Sequence, residues 1–188
     1  MPARRLAALL ALVCGASTAH AQSAPDTPPC SGPEYRQLDF WVGEWDLEFT
    51  NPDSSVGKAT NRITKHEYGS CVISEHFVQP GGAPNGGNYI GGSYSTYDAQ
   101  TKSWRQIWVD NAGGMFDLRG GPVSGQRHAF ELVNIEPRGP KQATMRMIWQ
   151  DVTADSLTWR WQSRNPDGSW TDRWVLSYKR RHLIHGRP

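Results

Sequence analysis

The residues best suited to chemistry are polar side chains that alternate with tryptophans. Gln106 and Asp110 have the same parity as Trp104 and Trp108 in one stretch of the chain. Alternate residues of a β-strand point to the same face, so we expect these four side chains to share one surface. A buried polar group must be hydrogen-bonded, so Gln106 and Asp110 either bond within the protein or meet a ligand.

Tryptophan is abundant, with nine residues in a chain of 188. Trp159 and Trp161 share parity on a second predicted strand, and Trp170 and Trp174 share parity on a third, with Asp172 between them. One interpretation is an aromatic-lined cavity that stacks flat, apolar ligands. The alternative is a core filled with indoles, each of which buries a large area. We select as lumen candidates for ligand binding Gln106, Trp108, Asp110, His76, Trp149 and Trp161.

Pairing within the protein is the simpler account of the buried carboxylates. A neighbouring strand could supply an arginine, such as Arg119 or Arg160. Buried polar groups are commonly satisfied in this way. The sequence leaves open whether a given polar side chain meets such a partner or a ligand.

The histidines do not form a metal-binding pattern. His66, His76 and His128 are scattered over three predicted strands, and His-x-His, His-Glu-x-x-His and Cys-x-x-Cys are all absent. The sequence therefore predicts no metal site. An acid–base set would combine His76 with Glu75 and Glu67, but adjacent residues of a strand point to opposite faces, so His76 and Glu75 cannot both face the lumen.

Two further catalytic patterns are absent from the sequence. There is no Gly-x-Ser-x-Gly elbow, and the glycine runs lack a following helix. Neither a hydrolase nor a phosphate-binding site is indicated. The catalytic residues, if the protein has any, stay unknown.

The elements that must position these residues are predicted to be strands. After a short helical lead-in at residues 34–42, about ten segments of alternating hydrophobicity are separated by turns. Pro80–Asn88, with four glycines and two prolines, is the one long loop. Near-neighbour connections favour an all-β, antiparallel up-and-down barrel over residues 37–181, since closure removes exposed strand edges.

The N-terminal residues have the pattern of a signal peptide. Arg4 and Arg5 precede an apolar run at residues 6–13, and Ala19-His20-Ala21 provides small residues for cleavage after Ala21. We therefore expect a signal peptide at 1–21, a flexible arm at 22–36 and a loose tail at 182–188. The mature protein would be periplasmic or secreted.

Charge and cysteine content limit the partners and the compartment. Cleavage would remove two arginines and no acid, so the formal charge would fall from +2 to zero, and nothing suggests a nucleic-acid surface. No later segment is long and apolar enough to span a membrane. Cleavage would leave Cys30 and Cys71, which in an oxidising compartment form either a disulfide or two separate buried thiols.

The opening Asp39-Phe40-Trp41-x-Gly43-x-Trp45 resembles the opening of calycins, the superfamily of lipocalins and nitrobindins. The likeness covers roughly residues 37–181 and is greatest to an uncharacterised family of exported bacterial proteins. Its other pieces are Gly69-Ser70-Cys71 with Glu75, Tyr94-x-x-Tyr97-Asp98, Trp104-Arg105-Gln106-x-Trp108-Val109-Asp110 and Asp167-Gly168-Ser169-Trp170. The resemblance implies that a basic residue of the last strand, Arg180 or Lys179, lies across Trp45 and closes the barrel floor.

The resemblance to nitrobindins raises the question of haem. Those proteins hold haem through a histidine near the C-terminus. The predicted last strand of this chain contains no histidine, and His182 and His185 fall in the tail. Since haem iron needs a positioned axial ligand, we expect no haem and no other cofactor.

Three functions follow from this interpretation. The first is an exported barrel that binds a small apolar or aromatic molecule in its lumen, with quenching of tryptophan fluorescence as its consequence. The second is a lumen enzyme of the isomerase, cyclase or decarboxylase type, which needs one acid or base of shifted pKa. The third is a protein-binding exported inhibitor, which would use the Pro80–Asn88 loop and leave the lumen solid. The oligomeric state stays open.

Overall fold

The structure, a computed structural model, describes residues 28–65, 68–126, 129–134 and 143–182. Two short 3₁₀ helices, Pro33–Arg36 and Asp39–Trp41, precede ten strands. The strands are β1 (Gly43–Thr50), β2 (Val56–Thr64), β3 (Val72–Gln79), β4 (Tyr89–Asp98), β5 (Ser103–Asp110), β6 (Met115–Pro122), β7 (Phe130–Asn134), β8 (Met145–Gln150), β9 (Ser156–Arg164) and β10 (Trp170–Arg180). The predicted signal peptide, residues 22–27 of the predicted arm and residues 183–188 of the tail lie outside the described residues.

The strands form one closed antiparallel barrel. Each strand pairs with its neighbours in sequence, and β1 pairs with β10 to close the sheet. Within a strand, buried and exposed side chains alternate, as along β2 from Val56 to Ile63. The predicted up-and-down barrel of about ten strands is confirmed. No helix in the described part of the chain is long and apolar enough to cross a membrane.

The helical lead-in covers one end of the barrel. The predicted helical lead-in consists of two 3₁₀ turns, closed by hydrogen bonds from Tyr35 N to Gly32 O and from Trp41 N to Leu38 O. Short connecting segments commonly take this tighter form. The second turn places Leu38 and Trp41 in the core, where both are completely buried or nearly so. We call this the closed end.

Arg180 lies across Trp45 at the closed end. Its guanidinium carbon is 4.0 Å from the centroid of the indole, the arrangement that the calycin resemblance implies. Nη1 donates a hydrogen bond to Val42 O at 2.7 Å and Nη2 donates one to Phe40 O at 3.0 Å. The alternative residue, Lys179, is exposed on the outer face of β10. One arginine therefore ties the last strand to the lead-in and to the first strand.

Gly43 makes room for this arginine. A Cβ atom at Gly43 would lie 2.2 Å from Arg180 Nη1, and the backbone has φ 142°, which side chains rarely adopt. Glycine meets both requirements because it has no Cβ atom. The glycine of the opening motif is therefore required by the floor of the barrel.

A disulfide joins Cys30 to Cys71 and fixes the start of the chain to the segment before β3. The predicted disulfide is therefore present. The two cysteines are 41 residues apart in sequence. Loop closure of this size contributes roughly 4 kcal/mol in the chain-entropy view.

A bulge in β10 changes which tryptophans face the lumen. The register with β9 shifts between Asp172 and Trp174. Trp174 therefore points inward, whereas Trp170 packs on the outside under the guanidinium of Arg146, at 4.2 Å from its centroid. The prediction that Trp170 and Trp174 share a face is wrong, because an extra residue in a strand reverses the alternation.

Candidate functional site

A cavity occupies the half of the barrel opposite the lead-in, which we call the open half. Apolar side chains from several strands surround it, together with one carboxyl group and two tyrosine hydroxyls. The aromatic wall consists of Phe77, Tyr89, Trp108, Phe116, Trp159, Trp161 and Trp174. Met147, Leu176, Glu75 and Tyr178 complete the lining.

The cavity is small and partly open to solvent. Its volume is about 100 Å³, and the void reaches about 520 Å³ when the solvent at its mouth is included. Drug-sized ligands occupy pockets of roughly 300–1,000 Å³. The enclosed volume is therefore smaller than the several hundred cubic ångströms that a conventional ligand site requires, and the lumen is nevertheless not packed solid.

Most neighbouring rings of the aromatic wall stand at steep angles to one another, whereas the planes of Trp159 and Trp161 are parallel, with centroids 6.4 Å apart. Phe77 and Trp174 have centroids 5.7 Å apart with planes at 77°, and Trp174 and Trp159 are 6.1 Å apart at 89°. Phe116 meets Trp161 at 4.9 Å and 67°. Edge-to-face pairs stabilise each other by about 0.5–1.5 kcal/mol beyond their area burial. The wall therefore holds its shape and presents ring faces in several directions.

Gly91 allows Trp108 to lie close against β4. A Cβ atom at Gly91 would lie 2.1 Å from Trp108 Cζ2. The indole therefore packs over bare backbone, and its position in the wall depends on the absence of a side chain at residue 91.

Glu75 is the one carboxyl group in the cavity lining. It points inward because β3 alternates, with Ile73 and Phe77 in the core on either side. Asn61 Nδ2 donates a hydrogen bond to Glu75 Oε1 at 2.7 Å, and Ser93 Oγ is 2.6 Å from Glu75 Oε2. The neighbouring strands β2 and β4 thus hold the carboxyl group in one orientation.

Burial raises the pKa of Glu75 from 4.5 to about 7, although the hydrogen bonds from Ser93 and Asn61 oppose the rise. Low-dielectric surroundings disfavour the charged form, and no Lys, Arg or His is among the described residues that line the cavity. The carboxyl group is therefore close to half ionised at neutral pH. A group with such a pKa can accept or donate a proton.

Asp110 stands at the rim and orders the wall. Its Oδ2 accepts hydrogen bonds from Tyr89 Oη at 2.9 Å and from Trp108 Nε1 at 3.0 Å. Its Oδ1 accepts from the backbone N–H groups of Ala112 and Gly114. Burial raises the pKa of this carboxyl, but these hydrogen bonds together outweigh it, so the net pKa is lowered.

Two of the six lumen candidates lie on the cavity surface, namely Trp108 and Trp161. Trp149 faces inward but is completely buried nearer the closed end, against Trp41 and Phe130. Asp110 is a rim residue bonded to its own turn. Whether an inward-facing residue such as Trp149 or Asp110 reaches the cavity depends on its position along the barrel axis. The alternation of side chains along a strand does not give that position.

Gln106 is completely buried and also lies outside the cavity lining. Its Nε2 donates a hydrogen bond to Ser95 Oγ at 2.9 Å, and its Oε1 has no partner among the described residues. Pairing within the protein therefore accounts for the amide nitrogen of this side chain and not for its oxygen. The pairing of Asp172 with Arg160, at 2.5 Å on the outer surface, is confirmed as well.

His76 does not face the lumen. It is exposed on the outer surface of β3, because Glu75 beside it points inward. The expectation that only one of the two can face the lumen is confirmed, but the choice of His76 is wrong. The third member of that set, Glu67, lies outside the described residues, as do His66 and His128.

Sequence reasoning overlooked several residues of the cavity. The sequence places Glu75 beside His76 and in the pattern of the family resemblance without giving it a role in the lumen, although Phe77, which shares its parity, indicates that it faces inward. Ser93 and Asn61 gave no signal, since small polar residues in strands are common on either face. Trp159 shares the parity of Trp161 and could have been named with it.

The described residues form no metal-binding cluster. They contain no group of three or more His, Cys, Asp and Glu side chains that could hold a metal ion. His182 contacts Asp155 at the closed end, 3.1 Å away and on the opposite side of the barrel from the cavity. His185 lies outside the described residues.

A known protein family matches most of the chain. Residues 31–180 match a family described as a protein of unknown function, DUF1579. The chain belongs to the DUF1579 family. The match begins one residue after Cys30, includes Cys71 and ends at Arg180, so the DUF1579 region coincides with the covered barrel. No curated protein is significantly similar to this chain.

One solved structure agrees with the fold of this DUF1579 protein. The crystal structure of Rv2717c from M. tuberculosis is 13% identical, with a TM-score of 0.52, and the match covers 80% of this chain and 99% of that one. A redesigned β-barrel is 10% identical, with a TM-score of 0.40, over 78% of this chain and 96% of that one. At this identity, the likeness to Rv2717c concerns the fold alone.

Proposed function

We propose that this DUF1579 protein is a calycin-like barrel that binds one small, compact, apolar or aromatic molecule in the open half of its lumen. The observation that carries the proposal is the aromatic-walled cavity with the single carboxyl group of Glu75. An apolar cavity of about 150 Å³ accommodates benzene. The cavity in this protein has a volume of about 100 Å³, so a ligand no larger than benzene fits inside it. One end of a longer ligand would lie in the mouth.

We also propose that the protein is exported. The Cys30–Cys71 disulfide supports this, because structural disulfides form and persist mainly in oxidising compartments. The basic, apolar and small-residue pattern before residue 22 adds sequence support. N-terminal sequencing of the exported protein should begin at Gln22, and retention of residues 1–21 would contradict the proposal.

Ligand binding is tested by fluorescence titration with phenol, cyclohexanol and cyclohexanone. At least one should give a single saturable change in tryptophan emission. Trp174→Leu removes a wall of the cavity and should weaken binding by about tenfold, the effect of losing roughly 1.4 kcal/mol of ring contact. Trp170→Leu is the matched control, because this indole lies outside the barrel on the same strand. A flat titration with every probe, or equal losses in the two variants, would contradict the proposal.

A second candidate function is acid–base catalysis in the lumen. It is favoured by one observation, the pKa of about 7 at Glu75 beside an aromatic surface. Proton exchange at the α-carbon of cyclopentanone in D₂O, followed by NMR, tests it. Catalysis should rise with pH to a plateau above about pH 7 and should disappear in Glu75→Gln. Exchange no faster than with free acetate would exclude this candidate.

A further inference from the structure

The cavity brings a carboxyl group and aromatic rings together without a positive charge. The described residues that line it include Glu75 and four tryptophans but no Lys, Arg or His. Both hydrogen bonds that Glu75 receives from side chains come from neutral groups, Asn61 and Ser93. A buried carboxylate normally requires a cationic partner, since a charge without one is costly in a medium of low dielectric.

The aromatic wall also favours a positive charge in the cavity. The face of an aromatic ring carries partial negative charge, so it attracts a cation and repels an anion. The pairs Phe77–Trp174 and Trp174–Trp159 stand nearly perpendicular, so the rings that line the cavity do not share one plane. Indoles are the strongest cation-binding rings in proteins.

We propose that the preferred occupant of the cavity is a small organic cation, an alkyl-substituted ammonium whose charged head lies beside Glu75 and between the indole faces. This inference rests on the proposed binding function and names its ligand class. A cation would provide the counter-charge for Glu75, whereas a neutral ligand would leave the carboxyl group against apolar atoms. An anion would meet repulsion from the carboxylate and from the ring faces.

Among the described lining residues, Glu75 is the one whose side chain titrates near neutral pH. Tyr178 faces it from β10 and Tyr89 lies on β4, and burial raises the pKa of both hydroxyl groups, so both stay neutral. Asp110, beyond Tyr89, has a lowered pKa and stays ionised, which adds negative charge at the rim. Asn61 and Ser93, which contact the carboxyl group from β2 and β4, do not titrate.

Three probes of nearly equal shape separate charge from size. Choline is the cation, 3,3-dimethyl-1-butanol is its neutral counterpart, and 3,3-dimethylbutanoate is the anion. Each has a compact head of four methyl-sized groups that suits the enclosed volume of about 100 Å³. By calorimetry at about pH 8, choline should bind about tenfold more tightly than the alcohol, and the anion should bind most weakly.

Glu75→Gln keeps the size of the side chain and removes its charge. It should weaken choline binding by about tenfold and leave the alcohol within about twofold. Glu48→Gln, on the outer face of β1, should behave as the wild type. Because the charge of choline does not change with pH, its affinity for the wild type should fall by about fivefold from pH 8 to pH 6, as the ionised fraction of Glu75 falls and the neutral form binds about ten times more weakly. The affinity of the Glu75→Gln variant should not change with pH.

Two results would overturn the cation inference and leave the binding function standing. One is an alcohol that binds as tightly as choline, and the other is a choline affinity that Glu75→Gln does not change. If none of the three probes binds, the cation inference fails, and the titration with phenol, cyclohexanol and cyclohexanone then decides whether the binding function fails with it.

Discussion

Two effects shift the pKa of Glu75 in opposite directions. Its carboxyl group accepts hydrogen bonds from Asn61 and Ser93, which favour the ionised form, while its burial favours the neutral form. Burial is the larger influence, and the pKa rises to about 7. The charge in the cavity therefore changes within the neutral pH range, and with it the kind of molecule that the cavity accepts.

This shift makes a prediction about stability. The pKa of a Glu side chain is 4.5 when unperturbed and about 7 at Glu75 in the folded protein. Between these values the folded state holds a proton that the unfolded state has lost, so the contribution of Glu75 to stability is lost as pH rises through this window. Removing the charge with Glu75→Gln should therefore stabilise the protein at about pH 8 by roughly 2–3 kcal/mol, since one pKa unit corresponds to about 1.4 kcal/mol.

Urea unfolding of the wild type, Glu75→Gln and Glu48→Gln checks this prediction. The gain from Glu75→Gln should shrink to below about 1 kcal/mol at pH 5, where the wild-type carboxyl is protonated in the folded state. Glu48→Gln should show no comparable change. A Glu75→Gln variant that is equally destabilised at both pH values would mean that Glu75 is ionised and stabilising in the folded protein.

At the scale of elements, the closed end is a joint between the lead-in, β1 and β10. Arg180 contacts Trp45 and donates hydrogen bonds to carbonyl groups of the lead-in. Gly43 passes beside the guanidinium with a backbone conformation reserved for glycine. The closure of the barrel and the placement of its floor therefore depend on the same few atoms.

Gly43→Ala should destabilise the protein by about 2–4 kcal/mol, because it adds backbone strain and displaces the guanidinium of Arg180. Gly121→Ala is the matched control, since a Cβ atom at Gly121 on β6 meets no atom within 4 Å. Its effect should stay within about 0.5 kcal/mol. Equal midpoints of urea unfolding for both variants would contradict the role assigned to Gly43.

The sequence predicts the number, order and closure of the strands because alternation and turns are local signals. It does not predict the bulge after Asp172, because one extra residue in a strand changes no local sequence pattern. The bulge nevertheless places Trp170 on the outside of the barrel. The alternation of side chains also shows that only one of Glu75 and His76 can face the lumen, but it does not show which one. The choice depends on the register of β3 with its neighbours, which is a property of the assembled sheet.

At the scale of the whole molecule, the barrel divides into two halves with different tasks. The closed half buries indoles together with residues of the lead-in, and the disulfide ties the segment before the lead-in to the segment before β3. The open half keeps a small space with a fixed aromatic wall and one titrating carboxyl group. Parity predicts that Trp149 and Gln106 face inward, but height along the axis, which follows from the stagger of all ten strands, places them away from the cavity.

The tryptophan side chains allow both halves to be observed at once. Four indoles line the cavity, namely Trp108, Trp159, Trp161 and Trp174. Four others lie in the core outside the cavity lining, namely Trp41, Trp45, Trp104 and Trp149. The indole N–H resonances of ¹⁵N-labelled protein should be recorded during titration with phenol. Saturable shifts confined mainly to the cavity indoles are the result that a ligand site in the open half predicts, and shifts spread equally over both sets, or none at saturation of the probe, would contradict it.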